Sequence, residues 1–429
     1  MAATVHILHP KPPPIGSFLR VGHTGHRKLE SLIAASRLRF RRFVFDAAYI
    51  EGQTDLLGTL RRSGCEIVLD PNLAETAAPG RFRPSTSSLP WANPDRPWDV
   101  SDYGRNRNHD TAQSIAEFAI KNNVDAVLAP THLIDVVPSP WMPIDFRLCE
   151  ELRRELDRAG GKHVAIDYQL ITTTTLLKDA LTREALVASL KHVPVENIWL
   201  RSSGFGATAT GAATRAFIEA SRAFHEIDKP VIADYAGGFS ALAAAAFGGI
   251  GGLCHGMGQK ETFRTGDWRK RSSGGGGGTA KRVYIPELDR FFTKEQLDIL
   301  FAVRGTKSRF GCNDTSCCAH GPEDMIENPH KHFAVQRSNQ IRAVSEIPES
   351  RRAEYFLLHI LDPAVRSARL ASRLKLGSEE MTRLVAEARK RLINLRDPLG
   401  DLHVGSSAAT RSPAPKFRGE NQSAQVAAG

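Results

Sequence analysis

The sequence predicts an α/β protein: a closed (β/α)8 barrel of the TIM type carrying a zinc-binding, helical C-terminal extension. Short apolar, β-branched runs recur eight times between residues 17 and 256, and a helix-like amphipathic segment lies between each run and the next. That count and alternation match a ring of parallel strands wrapped by helices. The runs are apolar almost throughout, as strands covered on both faces are, and the first Gly-rich turn lacks the GxGxxG of an open dinucleotide-binding sheet. The third observation lies beyond the barrel, where Cys312, Cys317 and Cys318 place half of the six cysteines within seven residues.

Taken in order, the strands are expected at Ser17–Gly22, Phe43–Asp46, Glu66–Asp70, Ala126–Pro130, His163–Asp167, Asn197–Ser202, Val231–Tyr235 and Gly251–Gly256. Helices are expected at Arg27–Ser36, Asp55–Ser63, Ala112–Asn122, Phe146–Ala159, Lys178–Ser189, Ala212–His225 and Phe239–Phe247. Residues 1–16, which include Pro12-Pro13-Pro14, read as a loose arm and 17–263 as the barrel. An insertion at about 71–110 is rich in Pro and Trp rather than periodic, which marks a lid, a substrate-binding element or an ordered excursion. Residues 264–282 form a basic, Gly-rich loop containing Arg269-Lys270-Arg271 and Gly274–Gly278, of flexible composition. The zinc-binding and helical region covers 283–403, and 404–429 has the composition of a disordered tail.

The 429 residues are 41% hydrophobic, enough for a large core, and carry a formal charge of +10. That charge suits a polyanionic partner such as tRNA or DNA. There is no basic-then-apolar leader and no membrane-length apolar run, so the expected location is cytoplasmic, away from membranes. In such a compartment clustered thiols favour metal over disulfides. Three thiolates and one imidazole complete a tetrahedral structural zinc site, with Cys312, Cys317, Cys318 and His332 as ligands and His320 or His330 as alternatives to the histidine.

In a barrel of this kind the working residues sit at the C-terminal strand ends. Those ends offer Asp46, Asp70, His132, Asp167, Arg201, Asp234 and His255. Such recurring charge at one rim implies a polar pocket suited to acid/base or nucleophilic chemistry. Gly237 and Gly238 after the seventh strand would let backbone N–H groups approach an anion.

Several segments resemble the tRNA-guanine transglycosylases: Val21-Gly22-His-Thr-Gly25, Leu69-Asp70-Pro-Asn-Leu, Gly237-Gly238-Phe-Ser, and His332 followed by Gln340-Ile341-Arg342. The resemblance implies a barrel that exchanges or binds a purine base in nucleic acid, with a structural zinc and a free base as small-molecule partner. Asp70 would be catalytic, contacting or deprotonating the base. That family's nucleophilic aspartate belongs near the last strand, where Gly251–Gly256 holds no carboxylate, so Asp234 is the nearest candidate nucleophile. Asp46, Asp167, Arg201, Gly237, Gly238 and His255 would bind substrate. The cysteine spacing departs from the family's Cys-x-Cys-x-x-Cys. The alternative reading is a barrel lyase, aldolase or hydrolase for a phosphorylated small molecule, or a non-catalytic binding protein.

Overall fold

Eight parallel strands close on themselves in sequence order. They are β1 (Gly16–Val21), β2 (Arg42–Asp46), β3 (Glu66–Asp70), β4 (Ala126–Leu128), β5 (Ala165–Thr173), β6 (Ile198–Ser203), β7 (Val231–Asp234) and β8 (Gly252–Gly256). Pairing of β1 with β8 seals the ring. The computed structural model describes residues 12–35, 38, 40–258, 260–269, 281–405 and 410–419. The wrapping helices are α1 (His26–Ala34), α2 (Thr54–Arg62), α3 (Arg105–Lys121), α4 (Met142–Arg158), α5 (Ala180–Leu190), α6 (Gly211–Ala223) and α7 (Gly238–Ala246). The chain is therefore a TIM barrel, as its sequence predicts.

Strand side chains alternate between the barrel interior and the surrounding helices. In β2, Phe43 and Phe45 join the outer core, while Val44 faces inward. The interior is consequently built in layers. Its middle layer is apolar, with Phe18, Val44, Val68, Leu128, Trp199 and Ile232. One layer of charge lies below it and another above it.

The lower layer closes the barrel floor. Arg42 Nε lies 3.0 Å from Glu66 Oε2, and Arg418 Nη2 lies 2.7 Å from Asp167 Oδ1. Arg418 also reaches Glu66 and Glu196. Its guanidinium arrives from the C-terminal segment 410–419, which runs under the barrel. Val231 N–H donates to Ser412 Oγ, and Arg42 donates to the Pro415 carbonyl. The tail expected to be disordered is, over these residues, a plug; 406–409 and 420–429 lie outside the described residues. Beyond Ala414, Phe417 and two prolines the segment is polar, and the buried ion pairs of Arg418 hold it rather than a greasy face.

The insertion after β3 is packed. Trp91 and Trp98 are buried, with their indole N–H groups donating to the carbonyls of Pro71 and Trp91. The extension begins with a hairpin, β9 (Arg282–Ile285) and β10 (Arg290–Thr293), and continues through helices α8 (Pro329–Ser345), α9 (Asp362–Ala371) and α10 (Glu379–Gly405). Helix α10 lies against α6 so closely that a Cβ on Gly211 would collide with the Asn394 carbonyl. Among the described residues no helix is long and apolar enough to cross a membrane.

The floor makes a direct prediction. Arg418→Ala leaves Asp167 and Glu66 buried without the guanidinium bonded to them, a loss on the order of 3 kcal/mol. Lys121→Ala breaks the exposed Lys121–Glu51 pair and should cost under about 1 kcal/mol. Urea unfolding of both variants checks this; equal losses would mean that Arg418 does not seal the floor.

Candidate functional site

The upper charged layer forms the barrel mouth. Strand register brings its members together: Asp46 pairs across from Asp70, and Arg201 from Asp234. Arg20 grips Asp234 with two bonds, Nε to Oδ1 and Nη2 to Oδ2, both 2.8 Å. Arg201 adds Nε to Asp234 Oδ2 at 2.9 Å and Nη2 to Asp70 Oδ2 at 2.8 Å. Arg20 also bridges to Asp70 at 2.9 Å and Asp46 at 3.0 Å. Gln169 donates to Asp234, and Lys260 Nζ closes on Asp46 at 2.6 Å. Asp70 and Asp234 thus stand no more than two hydrogen-bond lengths apart, through a shared guanidinium.

Tyr235 covers this layer. Its φ of 53° is left-handed, a strained conformation for a residue with a large side chain. The ring lies 4.5 Å from the Arg201 guanidinium carbon and 4.9 Å from that of Arg20, a cation–π arrangement. Phe263 and Trp268 pack beside it.

The carboxyl groups at the mouth are driven in opposite directions. Burial alone would push Asp234 up, but Arg20 and Arg201 more than reverse this and hold it well below the usual carboxylate range. Glu75 is pushed up by burial and then by Asp70, while Arg201 and Arg81 oppose this only in part. Glu75 Oε1 lies 3.5 Å from Arg201 Nη1. Glu75 Oε2 and Arg201 Nη1 are both buried without a hydrogen-bond partner. Neighbouring carboxyls whose surroundings push them in opposite directions are the arrangement in which acid and base roles separate.

Four of the predicted site residues, Asp46, Asp70, Arg201 and Asp234, meet at the mouth. Asp167 does not. Strand β5 continues through Gln169 to Thr173, so Asp167 lies near its start and belongs to the floor with Arg418. His255 does not either. Cys254 takes the inward position of β8, which turns His255 outward between the rings of Phe40 and Phe333. Burial lowers its imidazole to about 4, so it is neutral there. His132 stacks on Trp141 and bonds Asp145 at 2.6 Å.

Gly237 and Gly238 form a tight turn as expected, with φ of 65° at Gly238, but its anion is the protein's own. Gly238 N–H donates to Glu261 Oε1, and a Cβ on Gly237 would strike that carboxylate. Phe239 N–H donates to Asp289. The N-terminus of α7 is therefore already capped by two carboxylates, both paired with Arg337.

Arg20, Glu75, Gln169, Tyr235 and Lys260 were not singled out from the sequence. Arg20 had a signal, as the one charge inside an otherwise apolar first strand. Lys260 and Tyr235 stand outside the strands and had none.

The extension holds a second polar cluster. Cys312, Cys317, Cys318 and His332 are buried, and their ligand atoms all lie within 4.8 Å of one another, close enough to hold a metal ion. Cys317 and Cys318 Sγ are 3.7 Å apart and lie 3.5 and 3.6 Å from His332 Nδ1. His332 Nε2–H donates to the Tyr284 carbonyl, which leaves Nδ1 with its lone pair toward the sulfurs. His320 instead meets Asp324 at the surface.

No family model matches the chain, and no curated protein is significantly similar to it. Among solved structures it is similar to a type I 3-dehydroquinate dehydratase from Clostridium difficile, with 9% identity over 59% of this chain and 88% of the other and a TM-score of 0.37. A Penicillium canescens endo-1,4-beta-xylanase has 12% identity, covers 56% and 81%, and gives 0.37. A xylanase from Bispora sp. has 12% identity, covers 56% and 83%, and gives 0.36. Likeness this low carries no argument about activity, and none of these three is a tRNA-guanine transglycosylase. The barrel rests on its own strand pairing.

Because the folded Asp234 is depressed, its contribution to stability is fully present above its unfolded value near pH 3.9. That contribution is lost as pH falls below this value. The thermal midpoint of the parent should therefore drop more steeply below about pH 4 than that of Asp234→Asn. Parallel acid limbs for the two proteins would contradict the assignment.

Proposed function

We propose that the chain is a barrel enzyme performing acid/base chemistry, of lyase or hydrolase type, on a small oxygen-rich substrate at the barrel mouth. One observation carries this: Glu75 Oε2 and Arg201 Nη1 are buried without hydrogen-bond partners, with Nη1 3.5 Å from the other oxygen of Glu75. Arg201 Nη1 offers a donor to a substrate oxygen. Glu75 offers a proton to a leaving or developing oxyanion and takes one back afterwards. Asp234 and Asp70 hold the two arginines in place rather than attack. Asp234 accepts from Arg20, Arg201, Gln169 and the Tyr235 N–H, which leaves it poorly nucleophilic. The glycine turn after β7 adds no support for a phosphorylated substrate, since Glu261 fills it.

Base exchange on nucleic acid is the second reading, and the buried Cys/His cluster on the extension favours it. The metal we propose there is structural zinc. Bonds of about 2.3 Å to sulfur and about 2.0 Å to nitrogen put tetrahedral ligands roughly 3.7 and 3.5 Å apart. The observed separations match both. The four protein ligands leave no open position, so the ion's contribution would be to folding.

Two experiments test these readings. In a panel of hydroxy acids, keto acids and sugar phosphates, the parent should convert at least one compound, and Glu75→Gln should convert it about 10²–10⁴-fold more slowly. Equal turnover by both removes Glu75 as the proton carrier. Uptake of labelled guanine into tRNA moves the function to base exchange. Separately, elemental analysis should find about one zinc per chain, and Cys317→Ser should lose it together with thermal stability. Metal-free parent protein with unchanged stability would overturn the zinc site.

A further inference from the structure

A cavity of about 520 Å³ lies apart from the barrel mouth, between the loop after β6, the β9–β10 hairpin and helix α10. That volume is in the range of small-ligand sites. Its charges are unevenly spent. Arg391 pairs with Asp289 at 2.9 Å, Arg290 with Glu387 at 2.9 Å, and Glu261 with Arg337. Two lining cations, Arg282 and Lys390, have no ionic partner among the described residues. The carboxylates that line the cavity are thus matched, and about two positive charges are left over.

Three further features point the same way. Thr208 and Asn394 line the cavity with side chains that make no hydrogen bond among the described residues. Thr210, also in the lining, caps the N-terminus of the 13-residue helix α6 by accepting from Ala213 N–H. The positive end of that helix therefore adds to the field in the cavity. Phe291, also in the lining, is a half-buried ring packed against Tyr284 and Phe333, with centroids 5.2 and 5.3 Å away. Two unpaired cations beside an aromatic platform are the complement of a nucleoside monophosphate: phosphate on Arg282, Lys390 and Thr208, base on Phe291.

We propose that this cleft binds a mononucleotide-sized organic phosphate. The site is independent of the mouth reaction, although Glu261 in its wall is adjacent in sequence to Lys260, which enters the mouth.

The test uses the full chain, with the four ribonucleoside 5′-monophosphates and inorganic phosphate as probes in titration calorimetry. At least one nucleotide should bind, and binding should weaken between 50 and 200 mM salt, by the general loss of charge attraction on screening. Arg282→Glu with Lys390→Glu should weaken it by at least about tenfold, a loss equivalent to 1.4 kcal/mol. Phe291→Ala should weaken nucleotide binding and leave phosphate binding unchanged. Circular dichroism and metal content matching the parent show that the variants fold. Absence of nucleotide binding, undiminished binding by the double charge variant, or binding of oligonucleotides alone would each overturn the proposal. Loss of mouth turnover in Glu75→Gln with nucleotide binding retained separates this site from the proposed reaction.

Discussion

The barrel mouth depends on one carboxylate held between two arginines. Asp234 is buried, and so are Arg20 and Arg201; an unpaired charge in that position would cost several kcal/mol. The cost is offset only because strand register brings β1, β6 and β7 to the same height, so that the guanidinium groups share Asp234 and extend to Asp70 and Asp46. Everything else at the mouth takes its place from this arrangement. Tyr235 adopts a left-handed backbone to lay its ring on the arginines. Arg201, already committed to Asp234 and Asp70 through Nε and Nη2, presents Nη1 toward Glu75. The negative charge of Asp70 then adds to burial in pushing Glu75 upward.

The same principle recurs at the opposite end of the barrel and explains its layered interior. An apolar middle layer isolates two ionic layers from each other. The lower one cannot be completed by the strands alone, because Glu66 and Asp167 outnumber Arg42. The chain supplies the missing cation from its far end, as Arg418. This links the C-terminal segment to barrel stability, whereas in the upper layer Glu75 Oε2 and Arg201 Nη1 are left without hydrogen-bond partners.

Much of the fold was legible in the sequence because burial on both faces leaves a continuous apolar signature, and all eight strands appear near the expected positions. What escaped was governed by side-chain direction and strand length. Asp167 read as a strand end because β5 was cut short before its threonine-rich continuation, which moved the residue from the floor to the rim. His255 read as a mouth residue although its parity with Cys254 turns it outward. The glycines after β7 were identified correctly as a tight turn, but Glu261 and Asp289, distant in sequence, occupy the amides they expose. Arg418 lay in a segment whose polar composition suggests disorder, since a plug held by ion pairs carries no hydrophobic pattern. The cysteine cluster was legible because Cys312, Cys317 and Cys318 lie within seven residues of one another.

The central claim is that the arginine-held layer separates two buried carboxyls into an ionised anchor and a proton carrier. A carboxyl-carbon NMR titration, with Glu75 and Asp234 assigned through Glu75→Gln and Asp234→Asn, measures this directly. The account predicts that Glu75 titrates above the ordinary glutamate value of about 4.3 and that Asp234 stays ionised below the ordinary aspartate value of about 3.9. Ordinary titration of both groups, or the reverse order, would contradict it.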